Sequence, residues 1–474
     1  MRCLPSYPPF GTLKTTTTRL SLICDTMPQP VFTMPYEVRC PLHGTIALSS
    51  QELALLDHPV LQRLRHISQL GLASMVYPGA THSRFSHVMG AMHLAGTLMD
   101  QLAANSPPLQ ALPQSSLSYA RKILRLAALL HDTGHAPFSH SFEPLFPPRS
   151  QLQWPRLARE WLPETTLTDS QDARHEEFSV MLVAEMTENH PELISAEEAQ
   201  DVCALLDTRI APSPQLQGTG GQPSLFPLMQ QAISGEIDVD RMDYLRRDAH
   251  YAGVSYGFFD LPRLIGALEA VETENGFVMA LDDNAVHTYE HFLLARFHMT
   301  MQVYFHKTLL GFDACLHQVM RNQEIPFAVS GDPSAFLQGT EHTVWEMLQK
   351  AAQTPATHPW STRIVQRNPL TRLLRLGDFE PETQPQVLEL LSRHGIEVIQ
   401  VQRKRRLSSL GLAGSPLSPL VRVAHQGRPR LVPLEDASKL LQHYNQNFGY
   451  QDLYCDAAQA QKAQALLERL IPSL

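Results

Sequence analysis

The stretch 121–143, RKILRLAALLHDTGHAPFSHSFE, gathers side chains able to do chemistry at the end of an apolar run in this 474-residue chain. Ile123, Leu124, Leu126, Ala127, Leu129 and Leu130 make that run apolar nearly all round, as a buried helix requires. His131, Asp132, His135, His140 and Glu143 follow at its end. Imidazoles and carboxylates buried without partners are costly, so a core helix does not end in them without compensation. A metal ion is the usual compensation, and mixed imidazole and carboxylate donors suit Mn, Fe, Zn or Co rather than a closed thiolate site. A helix end capped by histidines would account for an isolated His-Asp pair. It does not account for Gly134, Pro137 and the further polar groups packed into HDTGHAPFSH. A catalytic metal site takes roughly four protein ligands and keeps positions open for water and substrate. The best candidates outside the stretch are His87 and Asp240, each where an apolar helix carries a polar group.

The elements that must position these groups are legible as mainly α. YEVRCPLHGTIALS alternates and turns at His43-Gly44, which suits a short strand pair. Residues 50–70 read as two helices broken at Pro59. A glycine-punctuated loop, GLASMVYPGATHSRFSH, leads into a helix with His87 at its start and Arg84 one turn before. After Glu143 the segment 144–174 loses periodicity and reads as a lid-like insertion, ending at a helix that opens at His175-Glu176. In SGEIDVDRMDYLRRDAHYAGVSYG, Asp240, Tyr244 and Asp248 share one helix face, and Asp243 and Arg247 form a pair on the neighbouring face. A solvated, salt-bridged helix would show the same charges, but Ile237, Val239, Met242 and Leu245 interleave with them, so part of that face must be enclosed. VETENGFVMALDD is a hairpin pattern around Asn275-Gly276. One long helix is expected from about Val286 to Met320, with Arg296, Tyr304 and Lys307 close to one face. The region from 323 to 474 mixes helices (343–352, 385–394, 457–470) with strand-like runs and is expected to be α+β. Residues 1–33, rich in Pro, Ser and Thr, are expected to be a disordered extension, with a helical domain over 34–322.

Composition excludes several classes. Hydrophobic residues make up 43% and charged residues 18%, a globular rather than a disordered balance. The formal net charge of −9 argues against general nucleic-acid affinity, though RKRR at 403–406 is a local basic cluster. Cys3, Cys24, Cys40, Cys203, Cys315 and Cys455 are scattered without a CxxC pair, so neither a disulfide framework nor a zinc ribbon is expected. That usage fits a reducing cytoplasm. No run of about 18 apolar residues exists to span a membrane.

The order of motifs resembles the HD-domain metal-dependent phosphohydrolases, and more closely the deoxynucleoside triphosphate triphosphohydrolases. The blocks that carry the resemblance are LLDHPVLQRLRHISQLGLASMVYPGATHSRFSHVMG, LLHDTGHAPFSH and IDVDRMDYLRRDAH. The resemblance implies a helical HD core with small β-hairpins. It implies His87, His131, Asp132 and Asp240 as ligands of one divalent transition metal, with an additional Mg conceivable. It implies His140 as the catalytic histidine supported by Glu143, which stands where the family's vertebrate member has Asp, and His135 and His175 as contacts to the α-phosphate. Arg84, Arg241 (in place of a lysine) and Tyr244 match phosphate contacts, and Arg296 a γ-phosphate contact. Gln69 and Asp248 match contacts to the sugar 3′-hydroxyl. Tyr304 matches the ring that leaves no room for a 2′-hydroxyl. Asp57, Gln62 and Arg65 match the guanine-reading residues of an activator site for GTP or dGTP at a subunit interface, which implies a homo-oligomer, a dimer or tetramer. Tyr36 and Cys40 depart from the lysine and aspartate of that site. Two other functions fit the residues: a phosphohydrolase of the same fold acting on nucleoside monophosphates or other esters, and a catalytically idle nucleic-acid-binding or scaffold protein.

Overall fold

The computed structural model describes residues 34–218, 221–376, 383–406, 419–425, 428–444 and 447–470. The extension expected at 1–33 lies outside the described residues, as do the side chains of 403–406. At the start of the described chain, strands Tyr36–Cys40 and Gly44–Leu48 pair antiparallel around a turn in which Gly44 takes φ +69°. That sign favours glycine. A capping box follows: Ser49 Oγ accepts from the Glu52 amide while the Glu52 carboxylate accepts from the Ser49 amide, starting the Ser50–Leu56 helix. Glu52 also takes Arg125 Nε at 2.6 Å and Nη2 at 2.9 Å, which ties this helix to the central one. Pro59 opens the Pro59–Arg63 helix, where its missing N–H costs nothing.

The central helix, Gln114–Leu130, buries the expected Ile123, Leu124, Leu126, Ala127, Leu129 and Leu130. It packs against the Arg84–Asn105 helix, which in turn packs against Val239–Ala252. Mostly helical packing with small sheets is the architecture the sequence predicts. The segment 144–174 holds short helices, Arg156–Trp161 and Glu164–Leu167, and buries Leu152, Trp154, Leu157 and Leu162. Arg149 pairs with Asp169 within the segment at 2.8 Å and ties it to Glu177 at 2.7 Å.

The single long helix expected from Val286 to Met320 does not form. Helix Val286–Met299 passes into a π-turn at Thr300–Tyr304 and stops; a new helix, Lys307–Arg321, begins after His306. Three causes act together. Thr300 Oγ1 bonds back to the Arg296 carbonyl at 2.8 Å, a contact that bends helices. The run TMQVYFH is poor in strong helix formers. His306 Nδ1 accepts from the Thr308 amide at 3.3 Å, so it caps the second helix rather than continuing the first. Arg296 and Lys307 therefore stand on different helices, with Tyr304 in the turn between them.

The hairpin Leu268–Thr273 and Gly276–Asp282 is extended by Leu420–His425, parallel to Gly276–Asp282, and by Arg428–Pro433. Strands Thr371–Arg375, Asn447–Cys455 and Ile399–Arg406 make a further small sheet. No helix among the described residues is long and apolar enough to cross a membrane. Cys40, Cys203, Cys315 and Cys455 are free and buried.

Candidate active site

The loop after Leu130 is where the central helix gives up its polar groups, and glycine decides how close its neighbours come. A Cβ on Gly134 would lie 2.1 Å from the His175 carbonyl oxygen and 2.4 Å from the Ser179 amide. The His175–Asn189 helix docks onto that bare backbone, with Ser179 Oγ accepting from the Gly134 amide at 2.9 Å and donating to the His131 carbonyl at 2.6 Å. That docking brings His175 over His135, their rings stacked at 3.9 Å.

His87, His131, Asp132 and Asp240 come together from three elements. His131 Nδ1 lies 2.9 Å from the Ala128 carbonyl oxygen. A carbonyl only accepts, so Nδ1 carries the proton and Nε2 presents its lone pair. His87 Nδ1 lies 2.8 Å from Asp243 Oδ2, which fixes the same tautomer there. Both Nε2 atoms are buried and make no hydrogen bond. His87 Nε2 lies 3.0 Å from Asp240 Oδ1, and His131 Nε2 lies 3.2 Å from Asp132 Oδ1 and 3.5 Å from Asp240 Oδ1. Ligand atoms of His87, His131 and Asp132 all fall within 4.8 Å of one another. Burial works against an imidazolium at His87, yet Asp240 and Asp243 outweigh it and push its pKa up to about 10. Against burial too, the carboxyl groups of Asp132 (beside Arg84 and His131) and Asp240 (facing His131 and His87) are held below the usual carboxylate range. Two orphaned imidazole nitrogens facing two ionised carboxylates fit a divalent metal of the Mn, Fe, Zn or Co type.

Asp243 was visible in the sequence only as a helix-face partner of Arg247. The structure makes it the buried support of His87. It accepts from Arg247 Nε at 2.7 Å and Nη2 at 2.8 Å, and His43 Nε2 lies 2.6 Å from its other oxygen. Gly90 makes room, since a Cβ there would meet Asp243 Oδ1 at 2.0 Å. Cys40 Sγ lies 3.5 Å from Arg247 Nη2, so the hairpin that bears His43 and Cys40 closes over the ion pair.

A second group adjoins the first. Glu143 Oε1 lies 2.8 Å from His140 Nδ1 and 2.9 Å from His175 Nδ1. These two histidines outweigh burial and lower the Glu143 pKa, while Glu143 raises that of His175 against burial. His135 goes the other way: burial and then Arg84 hold it neutral, with its pKa well below the usual imidazole range. Ligand atoms of His135, His140, Glu143 and His175 also fall within 4.8 Å of one another, a donor set able to take an additional cation. Arg84 bonds Asp132 and gives Nε to Ser139 Oγ at 2.9 Å.

The sugar-reading candidates meet at the C-terminal half of the Val239–Ala252 helix. Asp248 accepts from the Tyr304 hydroxyl at 2.7 Å, and its other oxygen lies 2.9 Å from His82 Nε2. His82 had no assigned role; its one signal was a histidine in the glycine-punctuated loop, and here it is buried and stacked on Tyr251 at 4.5 Å. Gln69 is buried beside it, its backbone N–H donating to the His82 carbonyl at 3.0 Å, with side-chain Oε1 making no hydrogen bond. The phosphate candidates are held by acids. Arg241 bonds Asp238 and the Gly235 carbonyl, and Arg296 Nη1 lies 3.7 Å from Glu236 Oε2. Tyr244 stands between the two ends, its ring 6.5 Å from His87 and 6.3 Å from Tyr304.

Asp57, Gln62 and Arg65 lie apart from this cleft chemistry. Gln62 donates to the Leu56 carbonyl at 2.7 Å and accepts from Arg65 Nε at 2.9 Å, and the Arg65 guanidinium covers the Phe85 ring at 3.7 Å. Among the described residues no ion pair joins Asp57 to Arg65.

Residues 84–248 match the HD domain and 259–378 match the HD associated region. Over those residues the chain carries an HD domain followed by an HD associated region. It is 33% identical over 259 residues to the human deoxynucleoside triphosphate triphosphohydrolase SAMHD1, covering 52% of this chain and 38% of that one. It is 31% identical over 261 residues to the uncharacterized protein YwfO of Bacillus subtilis, covering 55% and 49%. The chain thus spans about half the length, or less, of these curated relatives. A crystal structure of a hypothetical protein from Aquifex aeolicus superposes with a TM-score of 0.69 at 26% identity, over 91% of this chain and 99% of that one.

Proposed function

We propose that this chain hydrolyses deoxynucleoside triphosphates to a deoxynucleoside and inorganic triphosphate, using one divalent transition metal. One observation carries the reading. The Val239–Ala252 helix holds Asp240 against His87 and His131 and, about two turns on, holds Asp248 against the Tyr304 hydroxyl. One rigid helix thus gives one carboxylate to the candidate metal cluster and another to the Tyr304 ring proposed to close off the sugar. The similarity to a triphosphohydrolase supports the same substrate class.

His87, His131, Asp132 and Asp240 would hold the ion. When bound, such an ion lowers the pKa of water and polarises a phosphoryl oxygen. The chain's own residues do the rest. His135 and His175 border the position of the α-phosphate, and Arg84 stands beside Asp132 with its charge directed into the cluster. As a water oxygen bonds to the α-phosphorus and passes a proton to solvent, the bond from that phosphorus to the 5′-oxygen breaks, and His140, oriented by Glu143, gives its proton to the departing oxygen. Arg241, Tyr244 and Arg296 lie where the outer phosphates would extend. Gln69 and Asp248 hold the 3′-hydroxyl, and Tyr304 occupies the space of a 2′-hydroxyl. The reading extends to a cytoplasmic homo-oligomer, dimer or tetramer, in which Asp57, Gln62 and Arg65 take a guanine nucleotide as activator; the Gln62–Arg65 bond supports a preformed edge there.

A second reading draws on the ties of Arg241 to Asp238 and of Arg296 to Glu236. With these cations already partnered, a shorter phosphate ester would suffice. One experiment separates the two: metal analysis of purified protein, then the four dNTPs and dNMPs with Mn²⁺, with and without GTP, scoring triphosphate against orthophosphate. Triphosphate release supports the first reading. Orthophosphate from monophosphates alone replaces it with the second.

A further inference from the structure

The loop that carries His140 is strained. Phe138 and Ser139 both have positive φ, 57° and 55°, in a region that residues with a Cβ rarely occupy. Such a conformation persists only when its surroundings impose it. One imposing group is distant in sequence. Glu341 opens the Glu341–Ala351 helix in the HD associated region. Its Oε1 accepts from the Phe138 amide at 3.0 Å, the Ser68 amide at 2.9 Å and the Ser68 hydroxyl at 2.7 Å. Ser139 Oγ completes the lacing by donating to the Ser68 carbonyl at 2.8 Å and accepting from Arg84. Gln69, the 3′-hydroxyl candidate, follows Ser68, and His140, the proton donor, follows Ser139. A second tie comes from the same turn: Arg63 spans from the Gly339 carbonyl, at 3.0 Å, to the His135 carbonyl, at 2.8 Å.

We propose that Glu341 is a positioning residue: its carboxylate clamps the Phe138–Ser139 turn onto Ser68 and so sets His140 and Gln69 relative to the metal cluster. The kinetic part of this inference rests on the triphosphohydrolase reading; the clamp itself does not. Three of the four contacts converge on Oε1, the fourth running from the Ser68 hydroxyl to Oε2 at 2.8 Å. An amide oxygen in that place keeps them, so Glu341→Gln preserves the clamp while Glu341→Ala removes it.

The test uses the full chain with Mn²⁺ and reads three quantities: amide hydrogen exchange at Phe138 and Ser139, metal stoichiometry, and kcat and KM for dGTP. In Glu341→Ala, exchange at these amides should accelerate at least about tenfold while metal stoichiometry stays at the wild-type value, and kcat should fall on the order of 100-fold, as misplacement of reacting groups does. Glu341→Gln should recover most of both losses. Unchanged exchange in Glu341→Ala, loss of its metal together with its activity, or a Gln variant as damaged as the Ala variant would each overturn the proposal. Should Glu341→Ala not fold, Ser68→Ala takes its place, with the Gln variant again required to behave as wild type. Accelerated exchange in a protein whose wild type turns over no dNTP supports the clamp and overturns the proposed function instead.

Discussion

His131 and His140 stand on one loop, yet their surroundings suit opposite tasks. The imidazoles of His87 and His131 each have Nδ1 committed to a fixed acceptor, leaving Nε2 turned inward against carboxylates. The His87 side chain is 0% exposed. The His140 side chain is 68% exposed, and the carboxylate it meets, Glu143, is shared with His175. A rigid, dry, tautomer-locked imidazole is a ligand. An exposed imidazole on a shared carboxylate can gain and lose a proton without rearranging the protein. Burial alone does not produce the first state. His135 is as buried as His87, but burial and Arg84 lower its affinity for positive charge, where Asp240 and Asp243 raise that of His87 and would equally draw a metal cation to its Nε2. The difference lies in which charges the neighbouring helices deliver.

The largest expected effect tests the ligand half of this contrast. Asp132→Ala removes a donor and its charge, so metal content and turnover should both fall to background. A variant that keeps stoichiometric metal by elemental analysis would break the assignment of the four-residue cluster. His140→Ala tests the other half. It should keep full metal content and lose roughly 10²–10⁴-fold in kcat, the usual worth of a general acid. Wild-type kcat in that variant would remove His140 from the mechanism.

What the sequence made legible followed local rules. The HDTGHAPFSH loop could be read because charge arrives where an apolar helix stops, and the Pro59 break because proline leaves little choice. What stayed hidden depended on covering surfaces. Asp243 and Arg247 look like any exposed i,i+4 pair; only the hairpin carrying Cys40 and His43, with Gly90 opposite, makes them buried. Glu341 is silent for the same reason, since its partners are Ser68 and Phe138. The break at Thr300–His306 was masked because apolar spacing persists through the π-turn.

Tyr304 stands in that break, away from both histidine groups, and its substitution should therefore change selectivity rather than chemistry. Tyr304→Ala should raise hydrolysis of GTP relative to dGTP about tenfold, the low end of what one steric contact in a pocket supplies. An unchanged ratio places sugar discrimination elsewhere.

The smallest expected effect extends the contrast to a histidine with no bonded carboxylate. His93 lies on the Arg84–Asn105 helix with its ring 5.3 Å from that of His43. Burial, then the positive fields of His43, Arg125 and Arg121, push it down to about 4, with Asp243 opposing. The folded state therefore binds this proton less readily than the unfolded chain, whose histidine titrates near 6.5. The neutral side chain's contribution to stability is complete above pH 6.5 and is lost as pH falls toward 4. Because the ring is partly exposed, the contribution is on the order of 1 kcal/mol after allowing for solvent screening. Thermal unfolding of wild type and His93→Gln at pH 7, 5.5 and 4.5 measures it. The wild type should lose more stability than the variant across that range, and parallel curves would show that burial leaves the His93 proton affinity unchanged.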